Sequence, residues 1–300
     1  MILAVGEVLM ELRRAESDGA VAVPGTWQGP FCSGAPAIFA SVAARLGAGV
    51  GLAGSVGDDA FGRFVVDRLQ RDGVDVAALT EATGRSTAVA MVAYDRSGGR
   101  DFFFSVRGSA AEAIEAAAAA RAASEASWIH VSGSSIGFGD PLAATVEATI
   151  AAGLRAGARL SLDPNLRPDS PPEARERTAQ LARSASVVFP SAGELTALGL
   201  STRELVGRGA LVCATHGAAG VELHGTAADE PLRVAAPPVR EVDPTGAGDS
   251  FAAAFLSSFA RGAEPVRAAA TACAVAAHSV TVLGAMEAQF DGAGRQLPES

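Results

Sequence analysis

Short unbroken apolar runs alternate along the chain with longer stretches whose apolar residues recur at helical spacing. "ILAVGEV", "VGLAGSV", "SWIHVSG", "RLSLDPN", "SVVFPS" and "ALVCATHG" predict buried strands. Between them, "APAIFASVAARLG", "DAFGRFVVDRLQRDG", "PLAATVEATIAAGLRAG" and "PEARERTAQLARSA" predict amphipathic helices. Continuous apolar strands separated by helices imply an α/β fold with a mostly parallel sheet covered on both faces.

Two segments interrupt this rhythm. Residues 84–106 form two strand-like runs around Ser-Gly-Gly, a hairpin signal. Residues 12–31 are polar and then carry Pro24, Gly25 and Gly29 near Trp27 and Phe31, which predicts an extended excursion. The two segments are expected to pair as a small sheet beside the core. The alanine-rich "AAEAIEAAAAARAASEAS" is read as a surface helix. No internal repeat or linker divides the chain, so residues 1–300 are expected to form a single domain.

Composition narrows the function. At 49% hydrophobic the chain can bury a large core, and a formal charge of −9 leaves no basic surplus for broad nucleic-acid binding. All 24 basic residues are arginine. The absence of lysine excludes a P-loop and Schiff-base chemistry, so an anion must be held by arginine, backbone N–H groups or a metal. Cys32, Cys213 and Cys273 are far apart and match no disulfide or zinc pattern. The N-terminus reads as a first strand, and no run is long and apolar enough to span a membrane, so a cytoplasmic setting is expected. His130, His216, His224 and His278 lack metal-ligand spacing and are read as structural or surface residues. Met10, Met91 and Phe102–Phe104 are read as core or lid packing.

The densest chemistry lies in "EVDPTGAGDSFAAAFL", residues 241–256. Gly246, Ala247 and Gly248 would expose consecutive N–H groups at a helix N-terminus, forming an anion site without lysine. Asp249 in that turn is either a helix cap or a carboxylate that takes a proton from an attacking hydroxyl. From the residues alone, both readings stand.

"DPTGAGDSF" resembles the C-terminal signature of the ribokinase-like, or PfkB, carbohydrate kinases. "SGAPAIFASVAARLGAGVGLAGSVGDDAFG" is similar to their N-terminal signature, and "SLDPNLRP" and "CATHGAAG" match intermediate motifs in order. The resemblance covers nearly the whole chain. It implies a three-layer α/β/α core with a small β-sheet lid, formed here by about 12–31 and 84–106. It also implies ATP-dependent phosphorylation of a sugar or sugar-acid hydroxyl. By that resemblance Asp249 is the general base, and the backbone of Gly246, Ala247 and Gly248 stabilises the transferring phosphoryl group.

The remaining positions follow the family less evenly. Glu11 falls where members often place an acid on sugar hydroxyls. Gly34 matches the second of two glycines beside the sugar, but Ser33 replaces the first and Ile38 replaces the usual asparagine. Arg167 matches an arginine of fructokinase-like and 2-keto-3-deoxygluconate kinase-like members, whereas Val106 stands where another is usual and Arg107 follows it. A one-residue shift turns a strand side chain to the other face, which weighs against Arg107 as a substrate ligand. In "PSAGEL" Ser191 and Glu194 match the Asn-x-x-Glu motif, so Glu194 is expected to order Mg²⁺ through water. Thr215, Gly217 and Gly220 match the ATP side. Asp243, with the Gly284 region, matches a monovalent-cation loop that would take K⁺. The resemblance further implies a homodimer through the lid. The substrates it favours are 2-keto-3-deoxygluconate and fructose; a nucleoside kinase and a catalytically silent sugar-binding regulator are the alternatives. A dinucleotide oxidoreductase is disfavoured, because no G-x-G-x-x-G follows the first strand.

Overall fold

The computed structural model describes residues 1–16, 20–94, 99–167, 169–228 and 230–290. The chain runs β1 (Ile2–Val5), β2 (Leu9–Arg14), β3 (Trp27–Ser33), α1 (Ala35–Arg45), β4 (Val50–Gly57), α2 (Ala60–Asp72), β5 (Leu79–Ala82), β6 (Ala88–Tyr94) and β7 (Arg100–Phe104). It continues through α3 (Ala116–Glu125), β8 (Trp128–Ser132), α4 (Gly133–Gly137), α5 (Leu142–Arg155), β9 (Arg159–Asp163), α6 (Pro172–Ser184), β10 (Val187–Val188) and α7 (Glu194–Ala197). It ends with α8 (Thr202–Gly207), β11 (Leu211–Thr215), β12 (Val221–His224), β13 (Leu232–Val234), α9 (Ala247–Phe259) and α10 (Pro265–Ser279).

Each expected apolar run contains a strand of one nine-stranded sheet, ordered β13-β12-β11-β10-β9-β8-β1-β4-β5. Pairing is parallel from β11 to β5 and antiparallel at β12 and β13. The side-chain period of two sends Ile2, Ala4, Val50 and Leu52 into the core beneath α1, α2, α9 and α10. Leu3, Val5, Leu160 and Leu162 enter the opposite core beneath α3, α5, α6 and α8. Two dry faces explain why the strands show no polar alternation. The fold is the expected ribokinase-like three-layer arrangement.

A second, four-stranded sheet has the order β3-β2-β6-β7 and forms the lid. β2 lies antiparallel to β3 and parallel to β6, and β6 pairs antiparallel with β7 as the Ser-Gly-Gly signal predicts. The hairpin tip, 95–98, lies outside the described residues.

The alanine-rich segment contains the expected surface helix, α3, with one buried face. A 3₁₀ turn at Ala110–Glu112 precedes α3, whose start is capped by Glu115 accepting from the Ala117 and Ala118 amides. Ala119 and Ala123 are fully buried, so α3 is a covering layer of the core. Small side chains allow this close packing: a Cβ added at Gly153 of α5 would meet the Ala123 carbonyl at 3.0 Å.

Phe255 anchors α9 to the sheet, with ring centroids 5.5 Å from Phe189, 6.2 Å from Phe251 and 5.6 Å from Phe259. Phe255→Ala is expected to cost about 3–5 kcal/mol. Urea denaturation should show this as a lower midpoint with an unchanged slope.

Candidate active site

The parallel strands deliver their C-terminal ends to one cleft of ≈ 1110 Å³. Glu7 follows β1, Ser134 follows β8, and Asp163, Asn165 and Arg167 close β9. Ser191 and Glu194 follow β10, and Thr215, Gly217 and Gly220 follow β11. Gly246, Ala247, Gly248 and Asp249 enter from the start of α9, while Glu11, Ser33 and Gly34 enter from the lid sheet and its junction with α1.

The start of α9 bears on the question of cap or base. Its N-cap is Gly246, at φ 77°, and no side chain caps it. Gly246 is required twice over: its backbone is left-handed, and an added Cβ would meet Ala285 at 2.9 Å and Ile38 at 3.2 Å. Ile38, apolar where a polar side chain is usual, thus packs beneath the loop. Asp249 is only 8% exposed, and its Oδ1 is buried without a hydrogen-bond partner.

Burial pushes the Asp249 carboxyl up to about 7, reinforced by the Glu7 charge and opposed by Arg167. Asp163 is also raised, by burial and then by Glu194 and Asp249. Its Oδ1 accepts from the Asn165 amide at 3.0 Å. Glu194 accepts from the Leu166 amide at 2.6 Å and the Ser191 amide at 2.7 Å, tying the loop after β9 to the start of α7. Glu7 is almost wholly buried; its Oε1 accepts from Ser134 at 2.7 Å and its Oε2 from Ser135.

Arg167 lies under the lid. Its guanidinium is 4.1 Å from the Phe104 ring centroid, 5.2 Å from Phe102 and 5.7 Å from Phe138. Its Nε is buried without a partner. Glu11 keeps a buried, unpartnered Oε1 while Oε2 accepts from Ser33 at 2.9 Å, and burial pushes its carboxyl up to about 7. Gly34 needs its glycine, because an added Cβ would meet the Glu7 carbonyl at 2.7 Å. Arg107 is exposed and does not line the cleft; Val106 turns into the core instead. Asp243 sits behind the cleft wall, accepting from Thr245 and from the Gly284 amide.

The profile described as "pfkB family carbohydrate kinase" matches residues 1–290. The chain belongs to the PfkB family of carbohydrate kinases. The kinase is 34% identical over 283 residues to a fructokinase of Klebsiella pneumoniae, covering 88% of each chain. Its fold matches that of an E. coli protein provisionally assigned as ribokinase II, crystallised with ATP and Mg²⁺. That match has a TM-score of 0.88, 32% identity, and coverage of 97% of this chain and 96% of the other. A Vibrio cholerae fructokinase holding fructose, ADP and calcium matches with a TM-score of 0.80 at 27% identity, covering 95% of this chain and 94% of that one. The kinase is thus a phosphotransferase acting on a sugar hydroxyl.

Several cleft residues of the kinase escaped the sequence reading. Glu7 lies in the apolar run "ILAVGEV", and Asp163 in "SLDPN" carries no local sign of its role. Arg100, Phe102 and Phe104 line the cleft from β7, and the period of two from Phe104 back to Phe102 and Arg100 was the available signal. His130 is a core residue, stacked 3.7 Å from Phe39 and pushed down to about 3 by burial, so it is neutral. The three cysteines are free and buried. Among the described residues no helix is long and apolar enough to cross a membrane.

The raised Asp249 carboxyl has a consequence for the stability of the kinase. With its folded value near 7 and its ordinary value at 3.8, the native state keeps a proton that the unfolded state loses between those limits. Stability contributed by the protonated form is therefore lost as pH rises through that window. Asp249→Asn keeps the shape without the charge. It should gain about 4 kcal/mol on the wild type near pH 8 and almost nothing near pH 4, read from melting curves.

Proposed function

We propose that the kinase transfers the γ-phosphoryl group of ATP to a hydroxyl of a ketose, fructose being the first to test, with Asp249 as general base. The buried Oδ1 of Asp249, unpartnered and held near neutrality, carries this reading. A base whose pKa sits near the working pH combines available charge with driving force for proton transfer. The amides of Gly246, Ala247 and Gly248 at the same helix start would hold charge on the moving phosphoryl group. Positioning and electrostatics of this kind carry most phosphoryl-transfer catalysis. Fructose is suggested by the fructokinase relatives.

ATP fits the end of the cleft walled by Thr215, Gly217, Gly220, Ala236, Ala276 and Ala277, where backbone and small side chains suit a flat base. The donors beside the α9 loop are carboxylate oxygens, which suits Mg²⁺. Among the described residues no group of three or more acids, histidines or cysteines is set to hold a metal, and Glu194 spends both oxygens on amides. Mg²⁺ would therefore ride on the nucleotide phosphates and water, with Asp163 and Glu194 orienting that water and Ser191 fixing the loop. Bound there, it supplies neutralising charge to the phosphates.

Glu11, Ser33 and Gly34 would face the sugar from the lid side. A second reading, the sugar acid 2-keto-3-deoxygluconate, is favoured by the unpartnered buried Nε of Arg167, since arginine suits a carboxylate. A homodimer through the lid is the reading that Phe103, 50% exposed on β7, supports.

The deciding experiment is a coupled ADP-release screen with fructose, 2-keto-3-deoxygluconate, ribose and nucleosides. One substrate should be clearly preferred, and Asp249→Asn should lose about 10²–10⁴ of its turnover. The wild-type kcat/KM should fall below about pH 7 as Asp249 takes up its proton, and Glu11→Gln should keep that limb. Sugar binding without turnover would support a silent regulator instead, and unchanged turnover in Asp249→Asn would show the base to be another group.

A further inference from the structure

A monovalent cation was the expected companion of Asp243, and the residues around it do not fit one. Asp243 is 1% exposed, and both of its oxygens are engaged. Oδ1 accepts from the Thr245 amide at 3.1 Å and from Thr245 Oγ1 at 2.7 Å; Oδ2 accepts from the Gly284 amide at 3.0 Å. Oδ2 also forms an ion pair with a cation of the chain itself, Arg13 Nη1 at 3.1 Å. Arg13 Nη2 donates to the Val242 carbonyl at 3.3 Å. A carboxylate and a neighbouring backbone carbonyl are the oxygen donors that a bound alkali ion would use. Here a guanidinium spans both.

The guanidinium is fixed from its other side. It lies 4.7 Å from the centroid of the Tyr94 ring, and the Tyr94 hydroxyl is 2.8 Å from Thr245 Oγ1. Arg13 and Tyr94 belong to the lid strands β2 and β6, whereas Asp243 and Thr245 lead directly into Gly246–Asp249. We propose that Arg13 is the built-in cation of this kinase. Its guanidinium holds the loop that leads to Asp249 and makes a bound monovalent ion unnecessary there. Glu11, two residues earlier on β2, lines the sugar end of the cleft, so one lid strand touches both ends of the reaction. Arg13 is a positioning residue, acting through Asp243 and the loop.

The proposal rests on the reading of Gly246–Asp249 as the phosphoryl-transfer loop, so its test has an arm that needs no turnover. The full-length chain is assayed and melted in chloride salts of potassium, sodium and N-methylglucamine. The wild type should turn over equally in all three and melt at one temperature. Arg13→Ala should lose about 10–100-fold in kcat in N-methylglucamine, with a smaller change in sugar KM, because the loop is displaced rather than the sugar site. Potassium should restore most of that loss and raise the variant's melting temperature, since it can enter the vacated space. Arg13→Lys, which keeps a cation, should stay insensitive to potassium.

Potassium activation of the wild type, or a loss in Arg13→Ala that no alkali ion relieves, would overturn the proposal. If Arg13→Ala does not fold, the wild-type and Arg13→Lys salt series still decide, and potassium activation of either overturns it. Absence of wild-type turnover would count against the transfer-loop reading, while the melting series would still judge Arg13.

Discussion

Asp249 is a carboxylate removed from water at the first turn of α9, with one oxygen that no protein group satisfies. Leaving such an atom unpaired is costly, and proteins retain that cost where a ligand or a reaction repays it. Its surroundings serve this constraint. Arg167 supplies compensating charge, Glu7 presses the balance toward the protonated form, and the left-handed Gly246 before it starts the helix without a side-chain cap. Phe251, Phe255 and Phe259 of α9 pack with Phe189, which follows β10, and so seat the helix against the sheet.

Among the contacts that join the lid sheet to the core, two are made by arginines. Arg167 reaches up from β9 into the faces of Phe102 and Phe104 on β7, while Arg13 reaches down from β2 to Asp243. Both use arginine, as they must in a chain without lysine. The planar guanidinium stacks on rings and bridges two oxygens at once. The absence of lysine, informative in the sequence because it excluded a P-loop, thus reappears as a feature of how lid and core are held.

Much of the site was legible because its residues sit in compact local motifs. Gly246–Asp249, the "SLDPNLRP" run and the turn from Thr215 to Gly220 are each contiguous in sequence, so each could be read as a unit. Arg107 shows the limit of that reasoning. Only the register of β7 and the turn after it determine that Val106 points into the core, that Arg107 faces solvent, and that Arg100 faces the cleft. Glu7 was hidden for a related reason: one acid among apolar residues in a strand gives no sign of its partners. Those partners are Ser134 and Ser135, more than a hundred residues away.

The sequence by itself determined the layered α/β architecture, since runs apolar on both faces can only lie in a covered parallel sheet. It also determined the family and the position of the glycine turn before α9. Whether Asp249 is spent on a cap was a tertiary matter, because that depends on which group satisfies the first amides of α9. The tertiary structure likewise decided that Asp243 faces a guanidinium, since β2 meets the loop before α9 only once the lid has folded onto the core. Local chemistry is written in neighbouring letters; the pairing of charges from distant strands is set by packing.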